Sequence, residues 1–301
     1  MSIQLYKKYP KRLFTFGCSF TDHPWSTWAN ILGKEFEDAE FYNFGRQGAG
    51  NQYIYNTLMQ ADAVYNFNDS DLVIVEWTNV CREDRYLPNE GGWVLPGNIY
   101  GEVYYDAQWI KKYFNEYWAV IRDFALIKGA YEMLKEKTQW HFLQMVDLAT
   151  YLSHGTDEKF NDKKINYLEF KKIYDPVLKH IQPSYLEVLW KNTWKYKMDL
   201  DHKLLNKNFK DPHPNLLEHF KYLRKTFTHK WKDTTVEAIN KSFTKWKNTM
   251  QILSANNPKF KLWEISIDWH KNLKLELEIR LSDETDNRIQ HIHHNTKVID
   301  F

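Results

Sequence analysis

The sequence predicts an α/β protein: a three-layer, doubly wound sheet of mainly parallel strands, with a helical insertion and a C-terminal α+β extension. Three observations predict it. Strand-like and helix-like patterns alternate through the first half of the chain, as they do when each strand is followed by a crossover helix. The segment "DLVIVEW" at 71–77 is apolar nearly throughout, the mark of a parallel strand covered on both faces. The chain has 301 residues, 43% of them apolar, enough to bury the core of one large domain or two ordinary ones.

The elements follow in order. Arg12-Leu13-Phe14-Thr15-Phe16 reads as a first strand over 11–17, broken by Gly17. Trp25 to Phe36 carries apolar residues at helical spacing. "EFYNFG", 40–45, is a second strand, and Asn51 to Ala63 a second helix. Residues 71–77 are the third strand. A loop rich in turn residues spans 86–101, a long helical pattern spans 105–137, and "WHFLQMV", 140–146, is the fourth strand. From 160 to 200 the pattern is helical, aromatic and lysine-rich, with Pro176 and Pro183 as breaks. "FKDPHPNLLEHFKYL", 209–223, is a polar turn followed by a helix starting near Pro214. Residues 233–256 form a last helix, and the period-two alternation over 259–269 and 273–281 suggests a hairpin. The expected organisation is a domain over 1–225, with a helical insertion at about 150–205, and an extension over 226–301 packed on it.

Composition narrows the function. A net charge of +2 argues against a protein that coats nucleic acid. Lysine is dense from Lys159 to Lys247, which reads first as a solvated helical surface and second as a groove for an anionic polymer. Two cysteines, Cys18 and Cys81, make no disulfide framework, and Cys18 reads as a small buried filler. The N-terminal residues lack the apolar core of a signal peptide, and no stretch has the roughly 18 apolar residues of a membrane helix. The expectation is a soluble, cytoplasmic protein that needs no membrane. "HIHH" at 291–294 has metal-ligand residue types, but no carboxylate or cysteine at recognisable spacing. It reads as a polar tail, and neither metal nor cofactor is expected.

Doubly wound sheets place their sites at the carboxyl ends of the strands. Ser19, the stretch Gly45 to Asn51, and Thr78 to Asn79 all fall there. An activated serine needs a base beside its hydroxyl, an acid that orients the base, and donors aimed at the oxyanion. Asp211-Pro212-His213-Pro214 offers aspartate and histidine on one short turn, and a neutral imidazole suits a base near pH 7. Asn79 offers an amide, and Gly48 in "NFGRQGAGN" offers a backbone N–H where a side chain would block a substrate. Singly, each residue is also an ordinary turn or helix-capping residue.

The order of these pieces resembles the SGNH (GDSL-like) hydrolases over about residues 10–225, and most closely a divergent branch often encoded by phages and marine bacteria. "FGCSFTD" and "DPHPN" carry the resemblance most specifically. It implies that Ser19 is the nucleophile and, through its N–H, one oxyanion donor. Gly48 would be the second donor and Asn79 the third. His213 would be the general base and Asp211 its partner. Asn51, Trp77 and Arg82 stand beside these blocks as further candidates for binding substrate. The chain departs from the pattern in three places. Cys18 replaces the aspartate before the serine, Trp77 stands where glycine is usual, and Asp211 lies two residues before His213 rather than three.

The resemblance implies a serine esterase, deacylase or acyltransferase acting on an O-acylated carbohydrate or small ester, with no metal. The alternative is an SGNH-fold module with lost or weakened catalysis, serving binding or assembly on a viral particle or a cell-surface polymer; a homo-oligomer is a further possible partner state. Trp77, the short Asp–His spacing and the long extension motivate it. Trp25, Trp28, Trp77 and Trp93 read either as core or as cleft lining, and Arg82 and Arg85 either hold an anionic substrate or pair with Glu83 and Asp84. His219 and His229 are expected at the solvent face or edge of the helix after the motif.

Overall fold

The main sheet contains four strands, β2 (Arg12–Phe16), β3 (Glu40–Asn43), β4 (Asp71–Trp77) and β7 (Gln139–Gln144), in the order β3-β2-β4-β7. Counted by sequence, that order is 2-1-3-4, the start of a doubly wound sheet whose strand order reverses at its first strand. β4 and β7 pair in parallel from Leu72–Gln139 to Trp77–Gln144. Alongside β2, the bonds Glu40 N–H to Lys11 O, Phe44 N–H to Thr15 O and Arg46 N–H to Gly17 O advance together along both segments, as parallel pairing requires. This is a computed structural model, and it describes residues 2–87, 89, 92–101, 104–148, 167–209 and 211–256. The expected mixed α/β fold with a parallel sheet is the fold observed.

The chain divides into two compact units that interleave in sequence. One comprises Phe14–Thr21 and Phe44–Tyr185. The other comprises Met1–Leu13, Asp22–Asn43 and Leu186–Phe301.

In the first of these, all seven residues of β4 are buried, which accounts for the near-continuous apolar run; each aliphatic side chain in it contributes about 1.5–3 kcal/mol. Helix α2 (Asn51–Tyr65) packs on α4 (Glu116–Leu134), and α4 on α5 (Tyr167–Leu178). The long helical pattern over 105–137 is two helices, α3 (Ala107–Tyr113) and α4. Asn115 separates them because its side chain accepts the N–H groups of Tyr117 and Trp118 and caps α4. The expected loop at 86–101 includes a short antiparallel pair, β5 (Arg85–Leu87) and β6 (Gly92–Val94), and a 3₁₀ turn at Ile99–Gly101. Pro176 lies inside α5 rather than breaking it. It lacks the N–H that would donate to the carbonyl of residue 172, so α5 runs through it short of one backbone hydrogen bond.

In the other unit, α1 (Trp28–Glu35) begins at a Thr27–Asn30 capping box, three residues after Trp25. It packs against α8 (Leu216–Thr226) and α9 (Asp233–Asn256). A two-residue parallel pair joins β1 (Ile3–Gln4) to β8 (Phe227–Thr228). Between lie α6 (Tyr185–Leu189) and α7 (Trp194–Leu204). The expected hairpin over 259–281 and the "HIHH" tail lie outside the described residues, as does the start of the helical insertion. Among the described residues, no helix is long and apolar enough to cross a membrane.

Candidate active site

Ser19 follows β2 on a tight turn in which the Thr21 N–H donates to the Cys18 carbonyl at 2.9 Å. It is 9% exposed. The glycine two residues earlier is demanded from below. A Cβ on Gly17 would lie 2.0 Å from Thr21 Oγ1, and that hydroxyl donates to Glu76 Oε2 on β4 at 2.7 Å. The turn is thus clamped onto the neighbouring strand through a space only glycine leaves open. Cys18 is fully buried. Burial pushes its thiol pKa up, so it is filler rather than a thiolate nucleophile.

Gly48 occupies a left-handed conformation (φ +77°) inside a turn closed by Ala49 N–H to Arg46 O. A Cβ there would meet the Leu95 carbonyl oxygen at 2.4 Å. The Gly48 carbonyl accepts the Gly97 N–H at 3.1 Å, and no described residue takes up its own N–H. Asn79 follows β4, 5% exposed. Its Oδ1 accepts the Cys81 N–H at 2.6 Å, which assigns Nδ2 to the other side of the amide, and no described residue takes that donor. Gly48 and Asn79 therefore each present a donor not spent on the fold.

Asn51, Trp77 and Arg82, expected to bind substrate, are buried and have their side chains engaged within the fold. Asn51 is fully buried and fully committed. Its Nδ2 donates to Thr78 O (2.9 Å) and Asp123 Oδ2 (2.7 Å), and its Oδ1 accepts the Thr78 N–H (2.8 Å). It grips both backbone groups of the residue before Asn79 and so positions that amide. Trp77 is 0% exposed and packs edge-on against Phe142. It crowds nothing at the strand end, because the alternation of side chains along β4 turns it into the core. Arg82 is buried, donating to Ala49 O at 2.6 Å, and braces the Gly48 turn. Arg85 pairs with Glu83 at 3.4 Å and lies over the Trp109 ring. The Met145 sulfur lies within 3.9 Å of Cys18 Sγ, Thr78 Oγ1 and Arg82 Nη2, tying the ends of β2, β4 and β7 together.

Two buried carboxylates, neither of them among the expected site residues, support this region. Asp84 accepts the Gly50 and Tyr53 N–H groups, both at 2.9 Å, and so caps α2 from outside, where Gly50 has no side chain to do it. Asp123 joins Asn51 to Arg122. Burial pushes the pKa of each up to about 6, against the opposing pull of these partners.

In the other unit, Asp211 Oδ1 accepts the His213 backbone N–H at 2.8 Å and stands 2.6 Å from His213 Nδ1. The first bond is an Asx turn. It folds the carboxylate back over the ring, so the two-residue spacing suffices for contact. The loop is fastened after the histidine. Trp25 Nε1 donates to Pro214 O at 2.7 Å, and Asn215, rather than Pro214, starts α8 through a capping box with Glu218. Trp25 and Trp28 are fully buried and belong to the core rather than to a cleft.

Behind the loop lies a buried charged group. Lys197 pairs with Asp201 at 2.5 Å and Glu218 at 3.0 Å, and Trp190 Nε1 donates to Glu218. The solvated reading of the lysine-rich segment fails at Lys197, which two carboxylates allow inside. Burial opposes its charge, but Glu218 and Asp201 outweigh it and raise its pKa. His219 is buried rather than solvent-facing because the apolar face of α8 carries it inward. Its pKa is held well below the usual value by burial, then by His213 and Lys197. His229 lies beyond α8 and bonds to Glu35 Oε1 at 2.8 Å.

Sequence reasoning also missed His23, whose ring stacks on that of His213 at 4.0 Å and 26°. The signal was present: Asp22-His23-Pro24 repeats the Asp, His and Pro of the later loop.

No protein-family model and no curated protein matches the chain. Among solved structures it is similar to a member of the lipolytic G-D-S-L family from Veillonella parvula, at 13% identity, 71% of this chain, 96% of that one and a TM-score of 0.39. It is also similar to an acetylxylan esterase from Geobacillus stearothermophilus, at 11% identity, 77% of this chain, 100% of that one and a TM-score of 0.38.

Proposed function

We propose that the protein is a serine esterase or deacylase working through an acyl-enzyme on an O-acylated carbohydrate or small ester. The observation that carries the reading is the 2.6 Å contact between Asp211 Oδ1 and His213 Nδ1. An ionised carboxylate only accepts, so Nδ1 holds the hydrogen and Nε2 keeps its lone pair. That is the tautomer a general base needs. In the proposed reaction Ser19 Oγ attacks the acyl carbon and its proton passes to His213 Nε2. The carbonyl oxygen becomes an oxyanion, for which the Ser19 N–H, the Gly48 N–H and Asn79 Nδ2 are the donors. Collapse expels the alcohol, which takes the proton back from Nε2. Water then repeats the sequence on the acyl-enzyme, and a second alcohol in its place makes the reaction an acyl transfer.

The reading of a module with weakened catalysis loses two of its grounds, since Trp77 is core and Asp211 reaches the imidazole. The test is turnover of a short-chain p-nitrophenyl ester by wild type, Ser19→Ala and His213→Ala. Both variants are expected to lose about 10³-fold or more while staying folded. A fluorophosphonate probe is expected to label wild type and not Ser19→Ala. A folded wild type that neither turns over the ester nor takes the label overturns the proposal.

A further inference from the structure

We propose that His23, Asp211 and His213 form a binding site for a divalent transition-metal ion of the zinc class. Each offers one ligand atom, and the three atoms lie within 4.8 Å of one another. Two imidazoles and a carboxylate are a donor set suited to zinc, leaving a fourth position for water, and two nitrogen ligands disfavour magnesium and calcium. The ligands are sheltered: His23 is 7% and Asp211 1% exposed. Asp211 Oδ2 is also buried and has no hydrogen-bond partner among the described residues. A buried carboxylate oxygen left unpaired is costly, and a metal bond would satisfy it.

Ligand atoms around a tetrahedral zinc stand roughly 3.3 Å apart. The three donors therefore need only a small closure, with the stacked rings splaying so that each nitrogen meets the ion near its ring plane. Neither the Ser19 turn nor any of its donors takes part.

One consequence rests on the esterase reading. Ligation through Nε2 consumes the lone pair of the base. Ligation through Nδ1 moves the ring hydrogen to Nε2. Either way His213 stops being a base, so the ion is an inhibitor rather than a cofactor.

Binding itself is tested without substrate. The full chain, stripped with a chelator, is titrated with Zn²⁺ by calorimetry and with Co²⁺ by visible absorption. One saturable site with a d–d spectrum is expected. His23→Phe keeps a ring to stack but no nitrogen, and is expected to weaken binding more than about tenfold. Asp211→Asn is expected to change the Co²⁺ spectrum, and this second variant decides the matter if His23→Phe does not fold. Replacement of His291, His293 and His294 by glutamine is expected to change neither. Absence of a saturable site overturns the proposal, as does binding that ignores His23 and Asp211 but follows the tail histidines. Zinc binding in a protein that shows no ester turnover leaves this proposal standing and defeats only the other.

Discussion

The loop that carries Ser19 and the loop that carries His213 are held in opposite ways. The Ser19 turn, like the neighbouring Gly48–Gly50 turn, is held by close approach of other groups to its glycine. Gly17 admits Thr21, Gly48 admits the Leu95 carbonyl, and Gly50 admits Asp84 and Arg82. The histidine loop is held by side chains, with Asp211 on the ring, Trp25 on the Pro214 carbonyl and Glu218 on Asn215. The comparison teaches that the first loop is sensitive to added volume and the second to lost hydrogen bonds.

The sharpest test of that contrast is Asp211→Asn. An amide beside Nδ1 can donate and so invert the tautomer, and ester turnover is expected to fall by about 10⁴-fold with folding intact. Turnover near wild type would mean that this bond serves the loop alone. Next comes Asn51→Ala, which strands both backbone groups of Thr78 and an oxygen of Asp123. Urea denaturation is expected to show a loss of about 3–4 kcal/mol.

A third effect is pH dependence. Asp84 and Asp123 have folded pKa values of about 6, above the unfolded value of about 4. The folded state binds more protons between these values, so stability falls as pH rises through that window, by about 3 kcal/mol per group at most. Asp84→Asn is expected to flatten part of the slope, and an unchanged slope would remove Asp84 from the account. The smallest effect is expected from Gly17→Ala, which forces Thr21 away from Glu76 and costs about 1–3 kcal/mol by thermal unfolding. If it costs nothing, the serine loop is looser than the contrast holds.

Much of the fold was legible because periodicity reports burial. The run at 71–77 is apolar because β4 is covered on both faces, and 233–256 is helical in pattern and in structure. Capping residues set the ends less visibly, which is why α1 starts at Trp28 rather than Trp25 and why Asn115 splits one long pattern into two helices. Around the candidate site, proximity in sequence does not tell which side chains the fold engages. Asn51, Trp77 and Arg82 neighbour the motifs but spend their side chains on Thr78, Phe142 and Ala49.

By itself, then, the sequence determined the strand and helix alternation, the serine after a glycine and the pairing of Asp211 with His213 on one turn. These are local matters, decided by hydrophobic period, turn chemistry and a spacing of two residues. Only the tertiary structure decided which polar groups remain available. Hydrogen-bond partners come from segments far apart in the chain, and so Asn79 keeps its donor while Asn51 does not, Lys197 goes inside, and His23, 190 residues before His213, comes to lie against its ring.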